Sequence, residues 1–138
     1  MTPGLRQAYL RTAYVVRAPQ GVHALRIGAL HPAFDAEVNA AGERCWAVVT
    51  AWNPGSLPRG AEENARAQGA LLRTVAELGL AVWPGEGKAD AGGWREESAC
   101  VLGLEAAPAV ALGREFGQIA VIVGQVGGAA QLVSIATA

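Results

Sequence analysis

The spacing of apolar positions changes period several times along this chain, and each change marks a new element. Leu5, Tyr9 and Thr12 recur at helical spacing, which predicts a short helix over residues 4–12. Tyr14-Val15-Val16-Arg17 and Leu25-Arg26-Ile27-Gly28 flank a Pro19-Gln20-Gly21 turn signal and read as a hairpin. Pro32 suits the first turn of a helix that puts Phe34, Val38 and Ala41 on one face. Cys45 to Trp52 is apolar on both alternating faces, the pattern of a central strand covered on both sides. Asn53-Pro54-Gly55-Ser56 then stops that strand with turn residues.

The clearest helix runs from about Ala61 to Leu78. Gly60 serves as its N-cap, Glu62 and Glu63 occupy its first turn, and Gly79 follows its last. A rotation of about 100° per residue collects Asn64, Gln68, Leu71, Leu72, Val75 and Leu78 on one face. Two amides thus continue an apolar stripe towards the helix N-terminus, and a buried amide needs partners. Further on, Ala81-Val82-Trp83 predicts a strand ending in a loop over residues 84–93, and Glu97 to Leu104 predicts another strand. A helix over 106–116 has Pro108 in its first turn. Ile119 to Val123 and Leu132 to Ile135 are strands around a Gly-rich turn. The expected fold is a single α+β domain over residues 1–138, with three to four helices packed on a mixed sheet of six to seven strands.

Composition narrows the functional classes. With 138 residues there is room for one core. Eleven Lys and Arg against twelve Asp and Glu leave a net charge of −1, so no basic field points to nucleic acid or to an anionic membrane surface. No apolar run approaches the length of about 20 residues needed for a bilayer span. The N-terminal residues lack the basic and apolar regions of a secretory signal. Cys45 and Cys100 lie in apolar stretches without CxxC spacing, as expected of free core thiols in the cytoplasm. His23 and His31 lack metal-ligand spacing, and Gly85-Glu86-Gly87-Lys88 lacks the spacing of a phosphate loop, so neither a metal nor a cofactor is expected.

Two segments could carry chemistry. The 53–56 loop follows a central strand and precedes a helix N-terminus. It reads either as a polar pocket lined by Thr50, Asn53, Ser56 and the inward-facing Asn64, or as a capped turn bonding its own backbone. In Trp94-Arg95-Glu96-Glu97-Ser98, Glu97 at the start of a strand reads either as a desolvated acid or base, or as an edge carboxylate paired with Arg95 or Arg114. Four Trp residues are expected mainly in the core, with Trp52 and Trp94 flanking these polar positions.

Blocks spread over the whole chain carry a resemblance. They are Ala8 to Tyr14, Val49 to Ser56, Glu63 to Arg66, Trp94 to Ser98, and Phe116 to Ala120. In order and spacing the chain resembles domain of unknown function family 3293, an uncharacterised bacterial family with the pattern Thr-Ala-Trp-Asn-Pro-x-Ser, Glu-Asn, Glu-x-Ser and Phe-Gly-Gln-Asn-Ala. The resemblance implies a polar set of Thr12, Tyr14, Thr50, Asn53, Ser56, Glu63, Asn64, Glu97, Ser98 and Gln118, and implies no reaction. Ile119 stands where the family has Asn.

Two functions remain open at this level. In one, Thr50, Asn53, Ser56, Asn64, Ser98 and Gln118 bind an anionic or nucleotide-like small molecule, and Glu97 with Glu63 handles protons, in binding or hydrolysis. In the other, the same residues form a buried network in a non-enzymatic interaction or regulatory module.

Overall fold

The computed structural model describes residues 1–135. Its strands are β1 (Thr12–Ala18), β2 (Gly21–Leu25), β3 (Cys45–Val49), β4 (Val82–Ala89), β5 (Arg95–Leu102), β6 (Ala120–Gln125) and β7 (Gln131–Ser134). They form one sheet in the order β2-β1-β4-β5-β3-β6-β7. Four helices accompany it: α1 (Pro3–Leu10), α2 (Pro32–Ala40), α3 (Ala61–Glu77) and α4 (Ala106–Glu115). The α+β class is as expected, while each ladder of the sheet, expected to be mixed, is antiparallel. Three consecutive strand pairs, β1–β2, β4–β5 and β6–β7, are joined directly by short connections, and such connections impose antiparallel pairing.

The sheet buries both faces. On one, Ala47, Val49, Ala99, Val101 and Val121 pack with Leu71 and Val75 of α3 and Leu112 of α4. On the other, Val16, Leu25, Trp46, Val48, Cys100 and Ile122 pack with Phe34 and Val38 of α2, and Tyr9 of α1 joins the margin of that cluster. The cysteines are free, and burial raises the pKa of the Cys100 thiol. Leu71 and Val75 are fully buried, but Leu72 and Leu78 are 42% and 55% exposed, so the buried stripe of α3 is narrower than its periodicity predicts. No helix among the described residues is long and apolar enough to cross a membrane.

The largest departure from the sequence reading lies at residues 84–93. The expected loop is mostly strand, since β4 continues to Ala89 and turns through Gly92 and Gly93 into β5. Gly85 reflects close strand approach, whereas Gly87 has room for a side chain. A Cβ on Gly85 would stand 2.1 Å from the Val15 carbonyl oxygen of β1, and one on Gly87 would touch the Tyr14 ring at 3.5 Å. Glycine within a strand and glycine in a loop look alike in one dimension. The first hairpin shifts as well: Ala18 pairs with Gly21 across a two-residue turn, so β2 occupies 21–25 and Arg26 to Gly28 lie beyond it.

Candidate functional site

The Thr50–Gly60 segment is anchored to α3 by amides. Asn64, 2% exposed, makes four hydrogen bonds. Its Oδ1 accepts from the Asn53 backbone N–H (2.9 Å) and from Arg59 Nε (3.0 Å). Its Nδ2 donates to Asn53 Oδ1 (2.9 Å) and to the Arg59 carbonyl (3.3 Å). One turn further, Gln68 Oε1 accepts from the Ala51 backbone N–H (3.0 Å), and Arg59 donates to the Ala51 carbonyl (3.0 Å). The two amides that interrupt the apolar stripe thus serve backbone groups that the end of β3 leaves unpaired. The segment also holds unusual backbone, with Asn53 at φ 46° and Ser56 at φ 62°, a region non-glycine residues rarely occupy.

In front of this segment lies a cleft of about 400 Å³ between α1, β1, the loop and the tip of the β4–β5 hairpin. Tyr9, Tyr14 and Trp94 supply its aromatic surface, Asn53, Ser56, Thr12 and Glu96 its polar surface, and Arg11 and Asp90 are among its other lining residues. Tyr9, Tyr14, Trp94 and Glu96 also line a smaller chamber of about 30 Å³, which continues along the sheet past Thr50, Gly87, Ser98 and Gln118. A Cβ on Gly87 would meet the Tyr14 ring at an ordinary contact distance of 3.5 Å, so the glycine leaves the space beside that ring open.

Glu96 is the central group. Its Oε2 accepts from Asn53 Nδ2 (2.8 Å), so Asn53 links the α3 network to the cleft floor. Burial lifts the Glu96 carboxyl to about 7, with the Asn53 hydrogen bond pulling the other way. Burial also raises the Tyr9 phenol, opposed by a hydrogen bond with Ser56 and reinforced by the Glu96 charge. The Tyr14 phenol rises for the same principal reason, and its hydroxyl donates weakly to the Tyr9 carbonyl (3.4 Å).

The sequence-predicted residues divide accordingly. Asn53 and Ser56 line the cleft, and Thr50, Ser98 and Gln118 line the chamber. The Thr50 hydroxyl donates to the Glu97 carbonyl (2.5 Å) and accepts from the Trp52 N–H (3.1 Å). Gln118 donates from Nε2 to the Trp52 and Phe116 carbonyls, at 3.1 and 3.3 Å. Asn64 stands behind the loop, and Glu63 is exposed on the outside of α3.

Of the two readings of Glu97, the desolvated acid or base does not hold: Glu97 is exposed and lies on the opposite face of the sheet from Glu96. Neither is it the ion-pair partner of Arg95, whose Nε donates to Glu86 Oε2 (2.5 Å) beside Arg17 (3.2 Å). Strand alternation is the reason: Glu96 shares a face with Ser98 and Cys100, whereas Glu97 shares one with Ala99 and Val101. The signal was present, because Ser98, Cys100 and Leu102 extended back by two positions reach Glu96, and so does the Glu-x-Ser spacing counted from Ser98. Tyr9 carried no separable signal, since at helical spacing it is an ordinary apolar-face residue. Among the tryptophans Trp46 is core, while Trp94 is 46% exposed and belongs to the cleft.

No curated protein and no solved structure matches the chain. The family model described as protein of unknown function (DUF3293) matches residues 49–121, just over half of the 138 residues, spanning the loop, α3, both strands of the β4–β5 hairpin and Gln118, and the chain belongs to that family.

Proposed function

We propose that this chain binds a small organic molecule in the cleft between α1, the Asn53–Ser56 loop and the β4–β5 hairpin, with Glu96 as the group that gives or takes a proton. One observation carries the reading: aromatic and polar side chains from four separate segments surround a partly buried carboxyl in a space of about 400 Å³. That size and mixed lining suit a small ligand. If the site is hydrolytic, Ser56 and Ser98 are the serine hydroxyls lining the cleft and its chamber, beside the hydroxyls of Thr12 and Thr50. An anionic head group has less support. The floor carries a carboxyl, and the first turn of α3 carries Glu62 and Glu63, both of which repel anions.

The non-enzymatic module keeps support from one feature, the four hydrogen bonds that use the full capacity of the Asn64 amide within the fold. Thermal-shift screening against metabolites separates the readings. A ligand at 100 times its Kd adds about 2.7 kcal/mol. A shift seen in the wild type and lost in a folded Trp94→Ala variant supports the cleft, whereas the absence of any shift across the panel, with Asn64→Ala strongly destabilised, favours the structural module.

A further inference from the structure

The chemistry of the cleft also selects among ligands. Beneath the aromatic walls, the chamber is lined by Glu96 and Gln118, and both offer acceptors. Asn53 occupies Glu96 Oε2, and no described residue donates to Oε1. Gln118 is nine-tenths buried and spends its amide nitrogen on two carbonyls; no described residue donates to its Oε1. The charged groups that share this space are Arg11, whose guanidinium makes no hydrogen bond to Glu96, and Asp90, which is held bidentate by Arg26 at 2.7 and 2.9 Å. The titratable neighbours on α1 and β1 are Tyr9 and Tyr14, both kept as neutral phenols by burial. Carboxylate and amide oxygens among aromatic rings are the surroundings a cationic nitrogen seeks.

From this arrangement we infer that the cleft recognises a protonated amine, with the ammonium head in the chamber at Glu96 and an apolar or aromatic body against Tyr9, Tyr14 and Trp94. The inference rests on the binding-cleft reading above and adds the class of ligand. A chamber of about 30 Å³ suits a small head such as an ammonium group. Binding a cation favours the ionised carboxyl, so affinity should rise with pH across the titration of Glu96 and level off above it.

The test uses three probes with one body and different heads: phenethylamine, 2-phenylethanol and phenylacetate. Each is titrated into the protein while the amide resonances of Gly87 and Ser98 and the Trp94 indole are followed by NMR. At about pH 8 the amine should bind roughly tenfold more tightly than the alcohol, with phenylacetate weakest. This preference should shrink towards unity near pH 5.5, where the carboxyl is protonated and the amine is still charged. Glu96→Gln should abolish the preference of the amine over the alcohol, and Trp94→Ala should weaken all three probes. The pH series on the wild type carries the test even if Glu96→Gln does not fold. Equal binding of the three heads, a preference for phenylacetate, or an amine preference that survives Glu96→Gln would overturn the inference and leave the binding cleft standing. If none of the probes moves any of the reporter resonances, the inference falls, and the metabolite panel decides the cleft reading separately.

Discussion

Replacing Glu96 with Gln should stabilise the protein, and by an amount that depends on pH. The carboxyl titrates near 7 in the folded chain against an ordinary value of 4.5, because burial disfavours its charge. Its folded pKa is therefore raised, so its contribution to stability is fully present below about 4.5, where folded and unfolded chains both hold the proton. That contribution is lost as the pH rises to about 7, and beyond this the folded state bears the whole cost of ionisation. At about 1.4 kcal/mol per pH unit the displacement bounds the cost near 3 kcal/mol. Solvent reaches part of the side chain, and screening brings the expected figure to about 1–2 kcal/mol. Glutamine stays neutral and keeps an oxygen for the Asn53 hydrogen bond (2.8 Å in the wild type). Urea unfolding of both proteins at intervals from about pH 4 to pH 8.5 isolates this group, since every other titration cancels in the difference. The variant should gain about 1–2 kcal/mol relative to the wild type across that range, with most of the change between about 4.5 and 7. A flat difference, or a variant that loses relative stability with rising pH, would refute the desolvation of Glu96 and with it the chemistry assigned to the cleft floor.

Other outcomes follow from the same geometry. Asn64→Ala strands the Asn53 N–H and one Arg59 donor, and should cost about 2–4 kcal/mol in urea unfolding, against under about 1 kcal/mol if the network were solvated. Gly85→Ala drives a methyl into the Val15 carbonyl at 2.1 Å and should cost about 3 kcal/mol or more, whereas Gly87→Ala, at 3.5 Å from Tyr14 and Thr12, should stay within about 1 kcal/mol while narrowing the chamber, as comparison of their thermal melts would show. Leu71→Ala should cost about 2–5 kcal/mol and its exposed neighbour Leu72→Ala under about 1 kcal/mol; similar losses at both positions would mean that α3 packs through a wider face.

Elements with a strong period of their own were legible in the chain. The α3 stripe, with Asn64 and Gln68 correctly turned inward, follows from 3.6-residue spacing, and β3 follows from apolar residues on both alternating faces. These signals are local: a helix or strand presents its faces wherever it is packed. The turn at Asn53–Ser56 was likewise readable from its residues, as were the amides that needed partners, though the partners themselves were not.

Tertiary structure settled the remainder, because it depends on which strands become neighbours and which side of the sheet is covered. The placement of β4 against β1 turned an apparent glycine loop into strand, since backbones that approach within 2.1 Å of a would-be Cβ leave room only for hydrogen. The pleat put Glu96 under Tyr9 and Tyr14 and sent Glu97 to the opposite face, although the two are adjacent in sequence and identical in chemistry. Tyr9, Tyr14, Asn53 and Trp94 come from segments as far as 85 positions apart and meet only because β1, β4 and β5 are consecutive in the sheet. Periodicity tells which way a residue faces relative to its own element. Whether that direction leads to core, to solvent or into a cleft is set by everything packed around it.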